Sequence, residues 1–69
     1  VRQARKDLAR IERRLERIGA EEEQLHARMA EVAADYAAVA ELDERLRALG
    51  AERVALEEEW LEVAELAGA

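Results

Sequence analysis

Arg2, Lys6, Arg10, Arg13 and Arg17 follow one another at steps of four, four, three and four residues. In a helix that spacing sets all five cations on one ridge about 22 Å long. Such a ridge can follow a phosphate backbone. Each neutralised phosphate releases counterions, which gives affinity without sequence preference and with steep salt dependence. No aromatic residue is interleaved with the five, so neither base stacking nor base readout is expected. The competing reading is a solvated helix face, which the overall charge of −6 favours.

Catalytic chemistry finds little material. The chain has one His, no Cys, Ser or Thr and no Gly-rich loop, so nucleophile, base and phosphate cradle are all missing. His26 is expected to be an exposed partner of Asp43 at the margin of a helix seam. The acidic triplets Glu21 to Glu23 and Glu57 to Glu59 point around a helix rather than at one centre, so no metal site is expected.

What must position the ridge is a second periodicity. Ala4, Leu8, Ile11, Leu15, Ile18, Glu22, Leu25, Met29 and Val32 alternate steps of three and four, as do Val39, Leu42, Leu46, Leu49, Arg53, Leu56, Trp60, Val63 and Ala67. This is heptad spacing. If the chain reverses near Asp35, every position of one stripe faces a position of the other with residue numbers totalling 71. The pattern predicts an all-α fold, a two-helix antiparallel coiled-coil hairpin filling residues 1–69 as a single unit. Helix 1 is expected over about 3–32, the turn over 33–36, and helix 2 over 37–67. Asp35 is the expected N-cap, its carboxylate accepting from the N–H groups of Ala37 and Ala38. The rival is one continuous helix of roughly 100 Å that dimerises with a second chain.

Charge bears on that choice. Residues 1–18 carry a net +4 and the remaining 51 a net −10, so a hairpin lays the acidic end of helix 2 beside the basic start of helix 1. A parallel dimer would stack like charges, whereas an antiparallel dimer of straight helices would also match them. Glu22 and Arg53 are the only charges on the stripes and fall in adjacent layers. They are expected to form a cross-helix ion pair that fixes alignment, unless both side chains run outwards independently. Gly19 and Gly50 coincide at flanking e positions and predict a locally weak or bent zone. Trp60 is expected in the seam opposite Ile11. Val54 and Leu61, seven apart at b positions, fall outside the seam and are the candidate interaction surface.

Composition sets bounds. Apolar residues make up 51%, but with no Phe and only Tyr36 and Trp60 as aromatics there is no globular core to fill, so the seam is the core. The absence of Pro and abundance of Ala, Glu, Arg and Leu favour long helices. No apolar run approaches the roughly 20 residues of a membrane span, and no signal-peptide pattern appears, so a soluble chain without a membrane partner is expected. The chain opens on Val1 rather than Met, as expected of a piece cut from something longer.

The run from Leu25 to Leu49, LHARMAEVAADYAAVAELDERLRAL, and the segment AERVALEEEWLEVAE from Ala51 to Glu65 resemble the C-terminal coiled-coil domain of the ABC-F proteins. These are soluble, duplicated ATP-binding-cassette ATPases, and the resemblance is to their Uup-like branch. In that family a basic heptad helix leads to a turn carrying a Tyr, and a Leu-rich return helix ends in a Trp-containing segment. Here Arg2 to Arg17, Asp35 with Tyr36, and Trp60, Leu61 and Glu62 hold those places. The resemblance implies a cytoplasmic ATPase parent acting around ribosomes or nucleic acid. ATP and Mg would belong to that parent, because none of the family's nucleotide motifs falls in this chain. It further implies an appendage that is not itself an enzyme and binds DNA or ribosomal RNA, weakly and with salt dependence. The strongly acidic helix 2 departs from that role, and only the Arg2, Lys6, Arg10, Arg13 and Arg17 ridge matches it. The second function class is a structural module that packs on its parent or self-associates through Val54 and Leu61.

Overall fold

Two helices account for the fold: α1, Arg2–Glu31, and α2, Tyr36–Gly68. They lie antiparallel in a computed structural model that describes residues 2–68. The hairpin measures 51 × 15 × 12 Å, half the length of the single straight helix that the same residues could form.

The reversal is local hydrogen bonding. Val32 N–H donates to the Arg28 carbonyl at 3.1 Å and closes α1, and Asp35 N–H donates to the Val32 carbonyl at 2.8 Å. Asp35 then caps α2: Ala38 N–H donates to its Oδ1 at 3.1 Å, and Val39 N–H donates to its backbone carbonyl at 3.0 Å. Of the two N–H groups expected at that carboxylate, only that of Ala38 is bound there. With Asp35 as cap the next residue is the first of the helix, so Tyr36 opens α2 rather than closing the turn, with its ring 90% exposed.

All eighteen stripe positions are buried or half-buried. The cross-helix ion pairs described below have residue numbers totalling from 66 to 75, which brackets the 71 pairing. With Trp60 at a, the d positions include Ala4, Ile11, Ile18 and Leu49, and these four are the buried core. Every a position, from Leu8 to Ala67, is only half-buried. The other five d positions are half-buried too, so the seam is tighter beside d than beside a where those four side chains lie.

Ile18 and Leu49 are fully buried although the register sets them opposite Arg53 and Glu22. Both charged side chains are mostly covered, and their ends meet in a part-buried contact in which Arg53 Nη2 donates to Glu22 Oε1, an arrangement that lets long stems lie over apolar layers. Gly19 lies beneath this pair: a Cβ there would sit 3.9 Å from Arg53 Nη2, an ordinary contact, and one at Gly50 would meet nothing within 4 Å. Neither glycine has a positive φ, and both helices run through them unbroken. No buried side-chain nitrogen or oxygen among the described residues lacks a hydrogen-bond partner.

Candidate nucleic-acid interface

The ridge cations reach their places because α1 turns its stripe inward and therefore turns the b, c and f positions out. Arg2, Lys6, Arg10, Arg13 and Arg17 are all exposed. They are not equivalent. Arg10 Nη2 donates to Glu59 Oε2 at 3.0 Å, so its guanidinium is held towards α2. Arg2, Lys6, Arg13 and Arg17 have no ion-pair partner among the described residues. Between Arg13 and Arg17 lies an open groove of about 370 Å³ that Glu16 and Ala20 also line, so one carboxylate stands within the cationic face.

Beside the ridge a network of four charges clamps the helices. Arg14 grips Glu52 with two bonds, Nε to Oε2 at 2.5 Å and Nη2 to Oε1 at 2.7 Å, the fork geometry that a guanidinium offers a carboxylate. Arg45 Nε donates to Glu21 Oε2 at 2.7 Å. The hydrogen bond from Arg14 holds the Glu52 carboxyl below the usual carboxylate range, and that from Arg45 does the same for Glu21. Reciprocally, Glu52 raises the Arg14 pKa and Glu21 raises that of Arg45. All four occupy g positions, and both pairs have residue numbers totalling 66. That diagonal g-to-g spacing is the sequence signal through which the network could have been found.

Six of the eleven basic side chains thus have ion-pair partners: Arg10, Arg14, Arg28, Arg45, Arg47 and Arg53. The five cations without one among the described residues are Arg2, Arg5, Lys6, Arg13 and Arg17, all on α1 and none beyond Arg17. Among the described residues, pairing thus leaves free positive charge only between Arg2 and Arg17 of α1.

The remaining expected groups separate from this face. His26 is exposed, and Asp43, its expected neighbour, pairs with Arg47 at 2.9 Å. Val54 and Leu61 are 55% and 61% exposed. Trp60 is half-buried and lines a second groove with Leu15, Glu57 and Leu61, so its ring borders the surface as well as the seam. Among the described residues no group of three His, Asp or Glu side chains could hold a metal ion, and no helix is long and apolar enough to cross a membrane.

Residues 2–65 match the family described as the ABC transporter C-terminal domain. No curated protein and no solved structure matches the chain.

Proposed function

The chain belongs to the ABC transporter C-terminal domain family, and from that premise we propose that it is the nucleic-acid-binding accessory hairpin of a cytoplasmic ABC-F ATPase of the Uup-like branch. The finer assignment rests on Tyr36 directly after the Asp35 cap and on the Trp60, Leu61, Glu62 segment near the end of α2. ATP and Mg are assigned to the rest of the parent, since this hairpin offers no Gly-rich loop to hold phosphates.

The observation that carries the binding role is the segregation of unpaired charge. Arg2, Arg5, Lys6, Arg13 and Arg17 occupy about four turns of α1, while the acids of α2 face elsewhere or are neutralised by Arg10 and Arg14. A polyanion approaching α1 from outside meets cations, and one approaching α2 meets carboxylates. Binding is thus one-sided and reads phosphates rather than bases. Duplex DNA and duplex RNA are both ligands for such a face, and the family resemblance implies DNA or ribosomal RNA without choosing between them.

The test is fluorescence anisotropy with labelled DNA and RNA duplexes at low salt. The unaltered chain binds both. The pair Arg13→Glu with Arg17→Glu weakens binding by about tenfold or more, whereas Arg28→Glu, at the far end of α1, changes it little. Equal loss from both variants, or no affinity at all, overturns the proposal.

A further inference from the structure

The two edges of the hairpin differ. Arg10–Glu59, Arg14–Glu52 and Glu21–Arg45 bridge the helices along the edge beside the buried d positions. Among the described residues the opposite edge has only Glu22–Arg53 across it, and there the seam opens into an apolar groove of about 440 Å³ lined by Leu15, Glu57, Trp60 and Leu61. Val54 lies two turns before Leu61 on the same face of α2 and extends the apolar strip, so the strip spans about 10 Å along the helix.

Its surroundings are mainly acidic, with Arg5, at an e position of α1, the exception among the described residues of this edge. Glu57 is a wall of the groove, and Glu58, Glu62 and Glu65 stand on the adjoining face of α2. None of the four has an ion-pair partner among the described residues, and neither has Glu12 on α1. An apolar floor within an unneutralised acidic rim is complementary to a helix that carries Leu-like side chains on one face and Lys or Arg beside them.

A second copy of the chain does not supply that surface. Among the described residues the exposed large apolar side chains, Tyr36, Val54, Leu61 and Leu66, all lie on α2, apart from the free cations of α1. In an antiparallel two-fold arrangement over this edge, Glu57 would meet Glu57 of the copy near the axis. Nucleic acid is repelled by the same rim. We infer that the Val54, Trp60 and Leu61 edge is a docking site for a basic amphipathic helix of a protein partner. The cationic ridge is on another face, so either binding activity can fail while the other stands.

The probe is a synthetic helical peptide of about 18 residues, some 27 Å, with Leu at i, i+4, i+7 and i+11 and Lys flanking that face. Two companions replace its Leu by Ser or its Lys by Glu. Trp60, the single Trp, reports binding by fluorescence, with amide NMR shifts at Val54 and Leu61 as the map. The Leu/Lys peptide shifts Trp60 emission to the blue and binds about tenfold or more tightly than either companion. Leu61→Ser and Val54→Ser, both surface changes that leave helicity intact, each weaken it, and Arg13→Glu does not. Equal binding of the Ser peptide, equal binding of the Glu peptide, or indifference to Leu61→Ser overturns the inference. So does a dimer in sedimentation that Leu61→Ser abolishes, or a shift of these amides by duplex DNA.

Discussion

At Glu22 and Arg53 a carboxylate and a guanidinium take seats that Leu or Ile would fill in a plain heptad, and each side chain is about a quarter to a third exposed. They share their layers with the fully buried Leu49 and Ile18, so truncating either residue removes packing as well as charge. A double-mutant cycle with Glu22→Ala and Arg53→Ala, read by urea unfolding, is expected to give a coupling of about 1 kcal/mol, and additive losses would mean that the contact fixes nothing. The Arg14–Glu52 clamp makes a prediction in pH. The folded-state pKa of Glu52 lies below its unfolded value, so below about pH 4.3 the unfolded chain takes up its proton first. The clamp's contribution is complete above that pH and is lost as pH falls through the lowered folded value. Glu52→Gln should therefore melt below the unaltered chain at neutral pH, and the gap should close on acidification. A gap independent of pH would show that the carboxylate's charge is not what Arg14 holds.

The helices themselves rest on a cap, a stripe and two glycines. Asp35→Ala removes the acceptor of the Ala38 N–H and should cost about 1 kcal/mol of unfolding free energy. Gly50→Ala should have the opposite sign. Its φ is not positive and its Cβ would meet nothing, so the substitution should raise stability by about 0.8–1 kcal/mol, while destabilisation would reveal a conformation there that alanine resists. The hairpin was legible in the sequence because both stripes keep one period and because Asp35 falls where they must part. Apart from Glu22–Arg53, which the stripes single out, the ion-pair partners were not. A long Arg or Glu side chain reaches a turn up or down the facing helix, so the register names a neighbourhood and leaves the choice among Glu52, Glu59 and their neighbours to packing. Arg10 is the consequence for the candidate site: its spacing makes it one of the ridge, and its reach gives it to Glu59. The groove beside Trp60 was hidden for a related reason, since heptad letters place a residue on the seam without saying which edge of the seam is sealed.

Taken whole, the molecule is a 51 Å rod whose charges are sorted by face, with unpaired cations confined to the start of α1 and unpaired carboxylates alongside an apolar groove on the other edge. Because few apolar side chains are buried, the sorted exterior is where binding specificity resides, and the seam serves to hold the faces in place. Salt acts on the rod in two ways that can be told apart. It screens the exposed pairs, which have modest worth, and it competes with any bound polyanion. The logarithm of duplex DNA affinity should fall linearly with the logarithm of salt concentration, with a slope of about −4 for contacts through four or five phosphates, and by about one less steeply after Arg13→Ala. That titration, run over salt concentrations at which the hairpin stays folded by circular dichroism, tests most directly that the α1 ridge binds phosphates. A slope near zero, or one that Arg13→Ala and Arg17→Ala leave unchanged, contradicts it.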